Sequence, residues 1–238
     1  MKINDININY IQYGEGPDIV LLHGWGQNIE MMMPLGDQFK DRFKITILDL
    51  PGFGKSDEPS CGITIFEYNK ILEEFLIRLK ITNPIIIGHS FGGRLGIIYA
   101  SLNPVSKLVL FGSPCIRENN KMSLKTKTLK TLKKVPLLGN FSEYFKRHIG
   151  SEDYKNASIV MREILVNTIN TDLSANACKI KCPTLLLWGE NDTAAPLELA
   201  KKLEQLIKDA ALITFPNFGH YLYLENMNPI VNILNNFF

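Results

Sequence analysis

Ser90 stands between two glycines in Gly88-His89-Ser90-Phe91-Gly92, after the apolar run Pro84-Ile85-Ile86-Ile87 and before Gly93-Arg94-Leu95-Gly96-Ile97-Ile98-Tyr99-Ala100, a helical pattern. A serine at a tight strand-to-helix turn exposes its hydroxyl for nucleophilic attack, and glycines at 88 and 92 let the turn close without side-chain collision. A serine hydroxyl needs a base, most often a histidine. The chain has four: His23, His89, His148 and His220. His148 lies among Lys146 and Arg147, His89 adjoins the nucleophile, and His23 precedes a glycine turn as a structural hydrogen-bonder would. His220, on the glycine-flanked segment Phe218-Gly219-His220, is the expected base. A base histidine needs a carboxylate to set its tautomer, and Asp192 in Trp188-Gly189-Glu190-Asn191-Asp192 is the expected partner. The oxyanion formed on attack needs backbone N–H donors; by position these are the amides of Phe91 and Trp25.

These residues must be brought together by the elements that carry them. Six strand-length apolar segments recur at Ile19–Leu22, Phe43–Leu48, Pro84–Ile87, Lys107–Phe111, Thr184–Trp188 and Ala211–Phe215. Runs apolar on both faces predict strands of a covered parallel sheet. Ile6, Ile8 and Tyr10 alternate with asparagines and predict a strand or hairpin at the start. Helical spacing falls between strands, at Phe66, Ile71, Leu72, Phe75, Leu76 and Leu79, and at Leu197, Ala200, Leu203, Leu206 and Ile207. Such alternation predicts an α/β fold, in which functional groups gather at the carboxyl ends of the strands. His23, Ser90, Asp192 and His220 all follow such ends. The alternation breaks between about Pro114 and Lys181, which predicts a helical lid inserted into one structural domain. The expected organisation is a core of residues 1–113 and 182–238 with a cap at 114–181.

Composition narrows the function classes. At 238 residues, 45% hydrophobic and 21% charged, the chain suits one soluble α/β domain, and a net charge of +2 gives no overall pull toward nucleic acid. Cys61, Cys115, Cys178 and Cys182 match no disulfide or metal spacing, so reduced thiols and no metal are expected. No apolar run approaches the roughly 18 residues of a membrane span, and the opening residues lack a signal pattern. The expected location is the cytoplasm.

In order and spacing, His23-Gly24-Trp25-Gly26, Asp49-Leu50-Pro51-Gly52-Phe53-Gly54-Lys55-Ser56, Gly88-His89-Ser90-Phe91-Gly92-Gly93, Trp188 to Asp192 and Gly219-His220 resemble the α/β-hydrolase superfamily. The likeness spans nearly the whole chain outside the insertion. It implies an eight-stranded, mostly parallel sheet with helices on both faces, a helical cap at 114–181, and an Asp49 segment that shapes the floor of the site. Haloalkane dehalogenases and epoxide hydrolases carry aspartate where this chain has Ser90. Proline iminopeptidases carry a doubled-glycine loop where it has His23 to Gly26. That loop is similar to carboxylesterases acting on acyl-carrier-protein methyl esters, which often place tryptophan where this chain has His89. The expected activity is a cofactor-free serine esterase for small or medium acyl esters. Carbon–carbon hydrolysis or perhydrolysis on the same triad is the alternative, and a non-catalytic ligand-binding protein on a hydrolase scaffold is a further one.

Arg117 to Arg147 holds nine basic residues and two acids, a net +7 that leaves about −5 for the remainder. Leu124, Leu129, Leu132 and Val135 fall on one helical face among these lysines. Packing leucines inward with solvated lysines outward explains the pattern; recruitment of an anionic substrate, an acidic carrier protein or a membrane surface is the sharper expectation. Met161, Ile164, Leu165 and Ile169 form a second apolar stripe, expected to be core.

Overall fold

The computed structural model describes residues 1–117 and 157–238. Nine strands are assigned among them: β1 (Lys2–Ile3), β2 (Ile6–Asn7), β3 (Tyr10–Tyr13), β4 (Asp18–Leu22), β5 (Lys44–Leu48), β6 (Ile85–His89), β7 (Lys107–Phe111), β8 (Thr184–Gly189) and β9 (Ala210–Phe215). The main sheet runs β3-β5-β4-β6-β7-β8-β9, with β3 antiparallel to β5 and every other pairing parallel. The six expected buried strands are all present, with ends within two residues of the apolar runs.

The sheet has seven strands among the described residues, against the eight that the resemblance implies. The opening segment divides: Asn4 and Asp5 both take positive φ (45° and 64°) and fold β1 onto β2 as a separate two-stranded hairpin. A two-residue loop with both φ positive matches the natural twist of a hairpin and suits Asn-Asp. Only β3, further on, joins the main sheet.

Pleating sends alternate side chains to opposite faces, and the core divides accordingly. Val20, Leu22, Ile86, Leu108, Leu110 and Leu186 face α2 (Ile65–Arg78) and α3 (Phe91–Leu102). Ile19, Leu21, Ile45, Ile47, Ile87, Val109 and Leu187 face α1 (Ile29–Gly36) and the carboxyl-terminal helix pair, Leu222–Glu225 and Met227–Phe237. A capping box, Thr64 with Glu67, starts α2. Phe66, expected on its inner face, lies outward and is exposed. Leu197–Leu206 forms a helix as expected, burying Leu199, Ala200 and Leu203.

β4 pairs with β5 on one side and β6 on the other, so the chain reverses its direction of travel across the sheet between them. A crevice opens at the carboxyl ends of strands at such a switch point. The segments after β4 and β6 are those of Trp25 and Ser90.

Of the insertion, residues 114–117 and 157–181 are described, including α4 (Ile159–Asn170) and a short turn of helix, Ser174–Ala177. Met161, Ile164 and Leu165 are buried on α4, as core. Met161 sits on Gly52, where an added Cβ would stand 2.4 Å from its sulfur. His148, Lys121, Leu124, Val135 and the rest of the basic stretch beyond Arg117 lie outside the described residues, as does the bulk of the expected cap. No helix among the described residues is long and apolar enough to cross a membrane.

Candidate active site

The nucleophile turn carries its strain at the serine. Ser90 has φ 49° and ψ −108°, a conformation that costs roughly 1–3 kcal/mol for a residue with a Cβ and persists only where its surroundings fix it. They do so from three sides. The Ser90 amide donates to Phe111 O (2.9 Å), the Gly92 amide donates to His23 O (3.0 Å), and the Arg94 amide returns to Ser90 O (3.1 Å). A Cβ at Gly88 would stand 2.5 Å from the Gly93 Cα, and one at Gly92 would stand 2.3 Å from Leu22 O. Both glycines are thus required by close backbone approach.

Asp192 and His220 come from loops after adjacent strands, β8 and β9. His220 Nδ1 lies 2.7 Å from Asp192 Oδ2, while Asp192 Oδ1 accepts the amides of Ala194 (2.9 Å) and Ala195 (2.8 Å). With the carboxylate so held, Nδ1 carries the ring proton and Nε2 keeps the lone pair that a general base uses. Trp188 Nε1 donates to Ala195 O (2.6 Å) and pins the acid loop. The Asn191 amide donates to Phe218 O (2.9 Å), and the Gly219 amide to both oxygens of Glu225 (3.0 Å), which tie down the base loop.

The pair is joined to the serine turn through Gly112, one residue past the carbonyl that holds Ser90. A Cβ there would stand 2.9 Å from His220 Nδ1 and 3.0 Å from Asp192 Oδ2, and its φ is +47°. His89, the residue before Ser90, places Nε2 3.0 Å from His220 O. The Asp192–His220 pair therefore packs against the residue after β7 and against His89, the residue before Ser90, with β6, β7, β8 and β9 side by side beneath.

On the other side of Ser90 lies the loop after β4. Among the described residues neither the Trp25 nor the Phe91 amide donates a hydrogen bond; for Phe91, the first residue of α3, that is the ordinary state of a helix's first turn. Their rings meet edge to face at 5.3 Å, and Phe53 contacts Trp25 at 4.9 Å and Phe91 at 6.1 Å. An aromatic wall therefore stands beside these amides.

His23 is wholly buried, its Nδ1 donating to Gly24 O (2.7 Å) and its Nε2 accepting from the Leu50 amide (2.9 Å). Burial pushes its pKa down to about 4, so it stays neutral. This is the structural role expected of it. The Asp49 carboxylate accepts the Ile29 amide (2.8 Å), the Lys55 amide (2.8 Å) and Asn9 Nδ2 (2.7 Å), binding the loop after β4 to the loop after β5.

Sequence reasoning did not pick out Gly112, Gln27 or Arg94. Gln27 Oε1 accepts the Gly24 amide (2.9 Å) and shapes the loop that carries Trp25. Arg94, buried in the first turns of α3, donates to Pro114 O (2.6 Å), Thr168 O (2.7 Å) and Thr171 O (2.5 Å), joining both stems of the insertion to the nucleophile helix. Gly112 alone had a signal, a glycine directly after a buried strand. No group of three or more His, Cys, Asp or Glu side chains is gathered among the described residues as a metal would need.

Comparison with known proteins bears on the fold and the family. The family model described as alpha/beta hydrolase fold matches residues 17–141 and 123–227. A pimeloyl-[acyl-carrier protein] methyl ester esterase of Nitrosospira multiformis is 30% identical, over 89% of this chain and 90% of that relative. A 2-hydroxy-6-oxononadienedioate/2-hydroxy-6-oxononatrienedioate hydrolase of Pseudomonas putida is 25% identical, over 98% of this chain and 92% of that relative. Among solved structures, an esterase from Exiguobacterium antarcticum superposes with a TM-score of 0.77 at 22% identity, covering 99% of this chain and 97% of the other.

Proposed function

The chain belongs to the alpha/beta hydrolase fold family of enzymes, and on that premise we propose that it is a serine esterase acting through Ser90, His220 and Asp192. The observation that carries this is the Asp192–His220 pair at 2.7 Å, set behind the Gly112 wall beside a serine on a strained turn. Ser90 Oγ attacks the ester carbonyl carbon as its proton passes to His220 Nε2. The carbonyl oxygen takes the negative charge and is held by the Phe91 and Trp25 amides. Collapse of the tetrahedral species expels the alcohol, which leaves with the proton from His220. Water, deprotonated by His220, then attacks the acyl-serine and releases the carboxylic acid. Asp192 fixes the tautomer and stabilises the imidazolium in both halves. None of these steps calls for a cofactor.

The test is burst kinetics on a p-nitrophenyl ester series from acetate to decanoate, with wild type and Ser90→Ala. A wild-type burst that the variant lacks establishes an acyl-enzyme at Ser90, and the chain-length optimum sizes the acyl pocket. Absence of turnover on every ester would overturn the esterase reading.

A second reading keeps the triad and changes the bond. The 2-hydroxy-6-oxo acid in the name of the Pseudomonas putida relative is a diketone in its keto form, the substrate type of carbon–carbon hydrolysis. Offering a diketone beside the esters separates the two. The name of the Nitrosospira multiformis relative supports an acyl-carrier-protein ester as substrate, and the basic stretch 117–147 is suited to an acidic carrier. A steep loss of turnover with salt on an anionic ester, absent on a neutral one, is the expected mark of that recruitment.

A further inference from the structure

His89 is 1% exposed and lies between the two halves of the site. Its Nε2 is 3.0 Å from the carbonyl oxygen of His220, and its Nδ1 is 3.1 Å from Gln27 Oε1. Both partners are oxygen acceptors. Gln27 Oε1 is identified as the oxygen because it already takes the Gly24 amide at 2.9 Å. Turning the Gln27 amide over would serve Nδ1 but would set an NH2 group against the Gly24 N–H. A neutral imidazole has one N–H to offer to two acceptors. An imidazolium would satisfy both, yet burial, with His220 beside the ring, holds its pKa well below the usual histidine value.

The contest has a clear winner. Gln27 Oε1 has the Gly24 amide as a donor, whereas the His220 carbonyl receives no backbone N–H among the described residues. The Nε2–H tautomer therefore serves the acceptor in need and leaves the Nδ1 lone pair against an oxygen already satisfied. The loop after β4 is pressed against the same ring: a Cβ at Gly24 would stand 2.7 Å from His89 Nδ1. On the other side the His220 ring lies at 4.6 Å between centroids, with Tyr221 at 5.2 Å and Tyr223 at 5.3 Å.

We propose that His89 is a positioning residue: its Nε2–H holds the His220 backbone, its ring packs against Gly24 as a stop for the loop after β4, and base and oxyanion donors are thereby kept in register with Ser90. This deepens the serine-esterase reading and rests on it. Small misplacements of a base or donor are costly in rate, so the ring acts on turnover more than on substrate affinity.

The experiment compares wild type, His89→Phe (ring without hydrogen bond) and His89→Gln (amide donor restored). It reads the rate of covalent Ser90 labelling by a fluorophosphonate, kcat and KM on p-nitrophenyl butyrate per labelled site, and the denaturant midpoint. His89→Phe is expected to lower labelling rate and kcat by about 10- to 100-fold with KM within about 2-fold, and His89→Gln to recover most of it. If His89→Phe keeps wild-type labelling and kcat per site, whatever its stability, the proposal falls while the triad reading stands. If wild type itself is not labelled, the triad reading fails and the proposal goes with it. A readout free of variant folding is the 15N spectrum of histidine-labelled wild type. A protonated Nε2 and bare Nδ1 at His89 are expected; the opposite tautomer would overturn the proposal.

Discussion

His23 and His220 each stand in a loop just past a parallel strand of one sheet, yet their surroundings fit them for opposite uses. His23 has a donor facing one nitrogen and an acceptor facing the other, both from backbone, and is wholly buried. Nothing is left over for a substrate. His220 has its carboxylate on Nδ1 only, and its side chain retains partial exposure. A strand end supplies a location, and the count of satisfied ring nitrogens separates scaffold from reagent. The same contrast extends to the loops. The one after β4 is bound through His23, Gln27 and Asp49 into a dense buried network, which suits donors that must wait at a fixed point for developing charge. The one after β9 hangs on the Phe218 carbonyl, the Gly219 amide and the His220 carbonyl, which suits a ring that must pass a proton both ways.

The sharpest way to break this comparison is to remove what distinguishes His220. Asp192→Asn leaves a side chain of the same shape but sets an NH2 either against Nδ1 or, turned over, against the Ala194 and Ala195 amides. The expected result is a fall in kcat of roughly 10⁴-fold at pH 7, read on the ester with the best turnover. A loss under tenfold would mean that His220 is held by its loop alone. Next comes Gly112→Ala. The new methyl must displace the Asp192–His220 pair at a backbone position whose positive φ already disfavours it, and kcat should drop on the order of 10²-fold. Little change would show that the wall behind the pair is compliant.

The smallest effect tests His23. Its folded pKa, about 4, lies below the unfolded value near 6.5, so between those limits the unfolded chain binds more protons and stability rises with pH. The contribution is fully present above pH 6.5 and is lost as pH falls toward 4. Denaturant unfolding at pH 5 should show a loss of about 2 kcal/mol relative to pH 7 from this group, and His23→Gln should flatten that slope. An unchanged slope in the variant would return the acid sensitivity to other groups, with the buried His89 the first of them.

The strands were legible because both faces of a central parallel sheet are covered, so that segments such as Ile85-Ile86-Ile87 and Leu108-Val109-Leu110 carry apolar residues without alternation. The turn at Ser90 was legible because it demands glycines, and the Asp192–His220 pair because a histidine expected to act as a base calls for a carboxylate. Other parts arise only when the chain has folded. Gln27 belongs to no local pattern; its amide matters because β4 and β6 lie side by side. Phe66 follows the helical spacing of α2 yet faces outward, since period alone does not fix the edge of a buried stripe. The opening isoleucines alternate like a sheet strand, but Asn4 and Asp5 turn them back on themselves first.

Arg94 ties the carbonyls of Pro114, Thr168 and Thr171 to one guanidinium, and the stems are further paired by Leu173 N–H to Cys115 O (2.9 Å) and Arg117 N–H to Asp172 Oδ2 (2.7 Å). The segment between those stems thus departs from and returns to a single clasp on the nucleophile helix. Since the entropy of closing a loop grows only slowly with its length, such a clasp makes the intervening chain exchangeable. A segment of another length or charge spliced between residues 117 and 157 is expected to leave the clasp, and the Ser90 turn beside it, in place.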